Sequence, residues 1–191
     1  MSTQRGAGRT ALLVIDMQNS YFEFPELEEQ REAVTGKVNE LIRAARAGDC
    51  PVVLVRTQHE RDRSTWTLSM LDDDQGFAYP GTEQAEYVTG LDTEGGVGLI
   101  KTRDSAFFDT GLDARLRNLG VTHVVLCGIS THSCVGQTAI SAFDHNYRVS
   151  VARDAVASEN PDLSEALLTF LLDERRQEVL GQAEAVARLR G

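Results

Sequence analysis

The sequence predicts an α/β fold of the doubly wound class, in which helices cover both faces of a parallel β-sheet. Two observations carry this prediction: short, almost continuously apolar segments recur along the chain, and longer segments with helical periodicity separate them. The 191 residues, 41% hydrophobic and 25% charged, suffice to bury one sizeable core. We therefore expect a single domain over residues 1–191.

Five short segments rich in β-branched and aliphatic residues predict buried strands, and each is bounded by Gly, Pro, Asp or Arg. They span residues 11–15, 51–57, 97–101, 123–127 and 147–151. A shorter segment, residues 177–181, predicts one more strand near the end of the chain. The sheet is therefore expected to have six strands.

The segments between these strands carry apolar residues at helical spacing. In the first of them the spacing is formed by Val34, Val38, Leu41, Ile42 and Ala45. A second helix contains Leu112, Leu116 and Leu119, and Gly120 is suited to end it. Pro161 opens a third helix that runs to about residue 174, and a fourth helix begins at Glu184.

Residues 57–96, called the 57–96 segment below, are long, weakly periodic and acidic. Nine carboxylates lie between Glu60 and Glu94. We interpret the segment as an excursion that covers a substrate, and its charge then favours neutral or cationic substrates. Four arginines near the predicted strand ends favour an anionic substrate instead, because they could bind a substrate carboxylate. They are Arg56, Arg61, Arg63 and Arg103.

Composition excludes several classes of function. Lys and Arg number 19 against 29 Asp and Glu, a formal net charge of −10, and no basic tract is present, so nucleic acid and anionic membranes are poor partners. No apolar run approaches the roughly 20 residues of a membrane-spanning helix, and the start MSTQRGAGRT lacks the apolar stretch of a secretion signal. We expect a cytoplasmic protein. Three cysteines without a CxxC pair argue against a disulfide framework or zinc ribbon.

Three reactive side chains are expected at one edge of the sheet. Asp16 ends the first predicted strand, Lys101 ends the third, and Cys134 opens the helix after the fourth. Ligands of open parallel sheets bind beyond the carboxyl ends of the strands, where these residues would meet. Taken singly, Asp16 could cap a turn, Lys101 could be solvated and Cys134 could be a small buried hydrophobe. Taken together, they favour a catalytic site.

The chemistry of such a site is nucleophilic. A helix N-terminus and a nearby lysine both lower the pKa of a thiol, so we expect Cys134 to be activated as a thiolate. Asp16 could accept the thiol proton and later donate it to a leaving amine, while Lys101 stabilises both anions. Backbone N–H groups in the turn after Gly128 could form an oxyanion hole.

The segments that hold these residues resemble the cysteine hydrolases of the isochorismatase-like superfamily, which includes nicotinamidases, N-carbamoylsarcosine amidases, ureidoacrylate amidohydrolases and maleamate amidases. The resemblance rests on DMQNSYF at 16–22, KTRDSAFFDTGLDARL from Lys101, and GISTHSCVGQTAISAFDHNYRVSVARDA at 128–155. It covers nearly the whole chain and is weakest in the 57–96 segment.

The resemblance implies a three-layer α/β/α, Rossmann-like fold with a six-stranded parallel sheet, and catalysis by Asp16, Lys101 and Cys134 through a covalent thioester. It also implies a cis peptide bond between Ile129 and Ser130, with the backbone amides of Ser130 and Cys134 as the oxyanion hole. It further implies a homodimer or homotetramer in which a neighbouring subunit can complete the pocket. The reaction needs no cofactor.

Two departures from the family pattern narrow the function. Nicotinamidases usually carry an Asp-x-His metal cluster after the second strand, whereas this chain reads RTQHERDRS, with His59 as the one histidine before His123. We therefore expect no metal site and disfavour a nicotinamidase. Isochorismatases proper lack the cysteine and cleave a vinyl ether, so Cys134 favours cleavage of a C–N bond.

Five residues are candidates for substrate binding. Tyr21 stands where the family commonly has a pocket-lining Phe, and His132 lies two residues before the nucleophile. Gln18 either hydrogen-bonds around the catalytic carboxylate or satisfies loop backbone. Trp66 is either a lid contact to the substrate or packing at an interface. Of the neighbouring Phe107 and Phe108, one is expected to line the pocket, and we assign Phe107.

The favoured function is therefore hydrolysis of a small carboxamide or carbamoyl compound. The alternative is a catalytically silent binding or scaffold protein that retains the fold, because a fold does not guarantee an activity. A thiol oxidoreductase is disfavoured, because the cysteine nearest in sequence to Cys134 is Cys127, which ends a predicted strand and is expected to pack in the core.

Overall fold

The computed structural model describes residues 8–191 and contains one six-stranded sheet. Residues 1–7, which belong to the N-terminal stretch used to predict the absence of a secretion signal, lie outside the described residues. All five strand pairings are parallel, and the strand order is β3-β2-β1-β4-β5-β6. The strands are β1 Arg9–Ile15, β2 Val52–Thr57, β3 Val97–Lys101, β4 Val121–Ile129, β5 Arg148–Ala157 and β6 Glu178–Leu180. The predicted fold class and strand number are confirmed.

Seven α-helices accompany the sheet in the described part of the chain. They are α1 Pro25–Glu28, α2 Arg31–Ala47, α3 Leu68–Asp72, α4 Leu112–Asn118, α5 Gly136–Asp144, α6 Pro161–Asp173 and α7 Gln182–Arg190. The predicted helix signals hold: Pro161 lies at the first turn of α6, and Gly120 follows α4 with a φ of 69°. The last helix begins at Gln182, two residues earlier than predicted.

Helices cover both faces of the sheet because successive strand residues point to opposite sides. On one face Leu12 and Val14 of β1 pack against α2 and α7. On the other face Leu13 and Ile15 pack with residues of α4, α5 and α6. Cys127 is fully buried, as predicted for a core residue.

Strand β5 is longer than its apolar run predicts. The charged residues Arg153 and Asp154 suggest an end after Val151, yet the strand continues to Ala157. Its register against β4 shifts between Leu126 and Gly128, and both charged side chains are exposed there. An irregular ladder lets a strand keep pairing while it turns charged side chains to solvent.

The 57–96 segment carries α3 and a short 3-10 helix at Glu83–Ala85. An antiparallel bridge joins Tyr87 to Gln18, just after β1. This bridge fixes the segment at the carboxyl end of the sheet, where the candidate site lies. Among the helices of residues 8–191, none has the length and apolar character that crossing a bilayer would require.

Candidate active site

Three neighbouring elements bring Asp16, Lys101 and Cys134 together at the carboxyl end of the sheet. Asp16 directly follows β1 and adopts a left-handed backbone conformation, with a φ of 49°. Lys101 is the last residue of β3. Cys134 lies in a π-helical turn, Thr131–Val135, that follows β4 and leads into α5. A non-glycine residue in this conformation is uncommon, and such conformations cluster at functional sites.

The three side chains form a continuous buried contact. Lys101 Nζ lies 2.7 Å from Asp16 Oδ2 and 3.3 Å from Cys134 Sγ. Their exposed fractions are 0% for Asp16, 1% for Lys101 and 4% for Cys134. Lys101 thus connects the Asp16 carboxylate to the Cys134 sulfur. All three groups lie in a buried site, where electrostatic interactions are stronger than in water.

A close approach between β1 and β4 holds this arrangement in place. Gly128, near the end of β4, has a φ of 113°, and a Cβ there would lie 2.0 Å from the carbonyl oxygen of Ile15. Only glycine allows the two strands to meet so closely beside Asp16. The peptide bond between Ile129 and Ser130, just after Gly128, is cis.

Thr57 is a site residue that was not singled out from the sequence. Its hydroxyl accepts a hydrogen bond from Lys101 Nζ at 2.7 Å and donates one to Asp16 Oδ1 at 3.1 Å. Tyr21 Oη lies 3.0 Å from the same hydroxyl and 3.3 Å from Asp16 Oδ2. Thr57 ends β2, so the carboxyl-end rule that selects Asp16 and Lys101 could have found it.

The pKa of the Cys134 thiol departs from the expectation of an activated thiolate. Burial raises this pKa, and the Asp16 carboxylate raises it further, while Lys101 lowers it less. Asp16 largely compensates the charge of Lys101. Lys101 therefore cannot offset the free-energy cost of burying a second anion at Cys134. Burial and Asp16 thus oppose the predicted activation of the thiol, and a thiol of raised pKa needs a base before it can act as a nucleophile.

Lys101 remains an ammonium ion in this site. Burial opposes its charge, but the pKa of Lys101 is raised, first of all by the Asp16 carboxylate 2.7 Å away. The pKa of Tyr21 is also raised, first by burial and then by the negative charge of Asp16. The site therefore brings a lysine, a carboxylate, a thiol and a phenol together in one buried environment.

A second group of polar side chains surrounds the turn that carries Cys134. Ser130 Oγ donates a hydrogen bond of 2.6 Å to Glu159 Oε2. His132 Nδ1 lies 2.8 Å from Ser158 Oγ, and its Nε2 lies 3.5 Å from Glu159 Oε1. These contacts tie the turn to the residues after β5. An exposed carboxylate, Asp104, lies 4.0 Å from Cys134 Sγ and was also missed from the sequence.

Comparison with known proteins identifies the family of this chain. The family model described as isochorismatase domain matches residues 10–182. The chain belongs to the isochorismatase family. A probable inactive nicotinamidase of Arabidopsis thaliana is 34% identical over 166 residues, which cover 82% of this chain and 85% of that protein. Maleamate amidohydrolase of Pseudomonas putida is 31% identical over 196 residues, covering 97% and 89%.

A solved structure of an isochorismatase family protein from Desulfovibrio vulgaris superposes on this chain with a TM-score of 0.85 and 30% identity. The match covers 96% of this chain and 100% of that one. The family resemblance predicted from the sequence is thus confirmed across the whole fold.

Gln18 has a structural place in this isochorismatase-family protein. Its amide nitrogen donates to the carbonyl oxygens of Thr57 and Ala85, and its amide oxygen accepts from the Thr57 backbone N–H. Of the two interpretations of Gln18, the structure therefore favours satisfaction of loop backbone. The same hydrogen bonds join β1, β2 and the 57–96 segment behind the site.

The hydrogen-bond and aromatic contacts of Trp66 and Phe107 are made with residues outside the triad. Trp66 Nε1 donates to the carbonyl oxygen of Glu60, and the Arg63 guanidinium lies 5.0 Å from its ring, so the indole packs within the 57–96 segment. The Phe107 ring stacks on His145 at 5.0 Å and belongs to the core cluster that also contains Cys134. Its place in the substrate pocket stays a prediction.

The four arginines near the strand ends are engaged within the chain. Arg103 donates to the carbonyl oxygens of Thr65, Thr102 and Trp66. Arg63 pairs with Asp74, while aromatic rings lie beneath the guanidinium groups of Arg56 and Arg61. Within residues 8–191 only Arg63 of the four forms an ion pair, so binding of a substrate carboxylate by one of the other three stays a prediction.

Within residues 8–191, no three His, Cys, Asp or Glu side chains are grouped so that they could hold a metal ion. His59 is buried, and its Nδ1 lies 3.0 Å from the carbonyl oxygen of Thr65. Its ring packs against Phe77, which also packs edge-on against Tyr21. His59 and Phe77 of the 57–96 segment thus pack against the site through Tyr21.

Proposed function

We propose that the protein hydrolyses the C–N bond of a small carboxamide or carbamoyl compound through a thioester on Cys134. The observation that carries this proposal is the buried contact from Cys134 Sγ through Lys101 Nζ to Asp16. Maleamate amidohydrolase, 31% identical over nearly the whole chain, supports the amide class by its name.

Acylation begins with the neutral thiol. Asp16 takes the proton of Cys134 as Sγ attacks the carbonyl carbon, and a tetrahedral intermediate with an oxyanion forms. The backbone N–H groups of Ser130 and Cys134 are the proposed donors to this oxyanion. The C–N bond then breaks, Asp16 returns the proton to the leaving nitrogen, and the acyl group stays on sulfur. This transfer is required because an amide anion leaves very poorly.

Deacylation uses the same groups in reverse. A water molecule gives a proton to Asp16 and attacks the thioester carbonyl carbon, and the C–S bond breaks. Asp16 then returns the proton to the sulfur, which restores the thiol and releases the acid. Lys101 stays charged throughout and stabilises the anionic forms of Asp16 and Cys134. This role follows from its raised pKa and its contacts with both groups.

Tyr21 is the proposed substrate-binding residue nearest to the triad. Its hydroxyl lies beside Asp16, and Phe77 packs on its ring. His132 is proposed to contact the substrate from the nucleophile turn. Homodimer or homotetramer formation and a cytoplasmic location remain predictions.

A catalytically silent scaffold is the second candidate, and two observations favour it. The relative that is 34% identical is named a probable inactive nicotinamidase. The triad side chains are also nearly sealed from solvent, so a substrate needs movement above them. A retained acid and thiol that both contact Lys101 favour the hydrolase.

The test is amine or ammonia release from a panel of small carboxamides and carbamoyl compounds. We expect turnover by the wild type and by Cys50→Ala, a matched control whose thiol hydrogen-bonds to backbone far from the triad. Cys134→Ala should lose at least about a thousandfold in rate while its thermal unfolding midpoint stays close to that of the wild type. An acyl adduct on Cys134 should appear by intact mass spectrometry.

Two results would count against the proposal. Turnover retained in Cys134→Ala would exclude the thioester mechanism. Binding of panel compounds without turnover, equal in wild type and Cys134→Ala, would favour the silent scaffold.

A further inference from the structure

A pocket of about 270 Å³ lies at the amino ends of β4, β5 and β6, at the opposite end of the sheet from the triad. Its charged lining residues come from three strands, the turn before β6 and helix α7. They are His123, Arg148, Arg176, Glu178 and Arg188.

The charges of this lining do not balance. The lining has three arginines and one carboxylate, Glu178. Glu178 already pairs with Arg188, two of whose nitrogens lie 2.7 and 3.1 Å from its oxygens. Neither Arg148 nor Arg176 forms an ion pair or side-chain hydrogen bond with any other residue of the described chain. A local excess of positive charge is unusual in a chain whose formal net charge is −10.

The floor of the pocket is held by hydrogen bonds between the strands. His123 Nε2 lies 2.7 Å from Ser150 Oγ, and Ser150 Oγ donates 2.6 Å to Glu178 Oε2. Gln177 Oε1 accepts from the Val149 backbone N–H at 3.0 Å. Ser150 is fully buried. The strand residues between the arginines are therefore fixed, while the exposed side chains of Arg148 and Arg176 are free to approach a ligand.

Arg176 lies in the turn between α6 and β6. Its φ is 52°, a left-handed conformation that is common where a helix ends, and the Gln177 backbone N–H donates to the carbonyl oxygen of Leu171 in α6 at 2.9 Å. This turn places the exposed Arg176 among the residues that line the pocket.

We propose that this pocket binds a small phosphate group, either free or in a monoester. Guanidinium groups match the geometry of phosphate oxygens, and a tetrahedral dianion offers oxygens to several of them at once. A single carboxylate would engage fewer. The volume accommodates a phosphate with a short organic part. This site is independent of the proposed hydrolysis, because it shares no residue with the triad.

The experiment is thermal unfolding of the full chain with inorganic phosphate or with glycerol 3-phosphate, against sodium chloride at equal ionic strength. We expect a saturable rise of the unfolding midpoint with a phosphate compound and no such rise with chloride. The compound with the lower dissociation constant identifies the source as free phosphate or monoester. In Arg148→Gln/Arg176→Gln the dissociation constant should rise at least tenfold.

Arg153→Gln is the matched control, because Arg153 lies on the same strand as Arg148 and pairs with Glu165. It should bind phosphate like the wild type. Without phosphate, the double variant should unfold at the same temperature as the wild type or higher, because repulsion between arginines is relieved. Phosphate should also shift the NMR resonances of the His123 ring in the wild type.

The proposal is overturned if phosphate and chloride act alike, or if the double variant binds phosphate as tightly as the wild type. A His123 ring that phosphate leaves unmoved, while the unfolding midpoint rises, would place the phosphate elsewhere and also overturn it.

Discussion

Both ends of the sheet carry ionisable side chains, but the two ends differ in how far the charges are buried and paired. At the carboxyl end Asp16 and Lys101 are almost completely buried and compensate each other at 2.7 Å. At the amino end the Glu178–Arg188 pair is 45% and 33% exposed, and two further arginines remain unpaired in the described chain. Burial demands compensation because an isolated buried ion costs several kcal/mol, whereas water tolerates an excess of charge. The first environment suits a reaction and the second suits capture of an ion.

The two ends also shift pKa values in opposite directions. At the carboxyl end the pKa values of Cys134, Lys101 and Tyr21 are all raised. At the amino end the pKa of His123 is lowered by burial and then by Arg188, and that of Glu178 is lowered first by its hydrogen bonds to Arg188. The carboxyl end should therefore lose stability in alkali and the amino end in acid.

The largest expected effect comes from breaking one ion pair at each end. Lys101→Met leaves Asp16 buried without its partner and should lower the free energy of unfolding by about 3–5 kcal/mol. Arg188→Met, the matched change in the exposed pair, should cost about 1 kcal/mol or less. Urea unfolding measures both. Equal losses in the two variants would show that the buried charge is compensated by groups other than Lys101.

The next effect concerns the hydroxyl of Thr57. Thr57→Val removes the group that accepts from Lys101 and donates to Asp16, and should cost about 1–3 kcal/mol. Thr35→Val is the matched control, because the buried Thr35 hydroxyl has no hydrogen-bond partner among residues 8–191. It should be neutral or slightly stabilising. If Thr57→Val also leaves the urea midpoint unchanged, the polar network of the site does not contribute to stability.

A smaller effect concerns alkaline pH. The pKa of Cys134 is raised in the folded state, so above the ordinary thiol value of about 8.5 the unfolded chain loses its proton first and stability falls as pH rises. The slope from one thiol is at most about 1.4 kcal/mol per pH unit. Unfolding free energies from pH 7 to 10 should fall less steeply in Cys134→Ala. The same flattening is expected in Cys127→Ala, whose pKa burial also raises. A wild-type slope in Cys134→Ala would mean that the folded protein holds a thiolate.

The smallest effect lies on the acid side, at the amino end. Because the folded pKa of His123 is lowered, the unfolded chain takes up a proton below about pH 6.5 before the folded chain does, and stability falls as pH falls. His123→Gln should reduce this acid loss by less than about 1 kcal/mol, because solvent reaches the pocket. Unfolding between pH 7 and 5 measures it. A larger acid loss in the variant than in the wild type would reverse the predicted sign.

The fold was largely predictable because its signals are local or periodic. Apolar runs located six strands, and Pro161 and Gly120 marked a helix start and a helix end. The end of β5 was not predictable, since its exposed Arg153 and Asp154 look like a boundary unless the shifted register against β4 is known.

The sequence by itself determined which chemical groups reach the carboxyl end of the sheet, because a residue that ends a parallel strand must lie at that edge. Asp16, Lys101 and Cys134 follow from this rule. Tertiary structure alone decided their states and partners. The raised pKa of Cys134 depends on burial and on the nearby Asp16 carboxylate. The arginine pocket unites residues from β4, β5, β6 and α7. Desolvation and charge pairing act through space, so residue order along the chain does not reveal them.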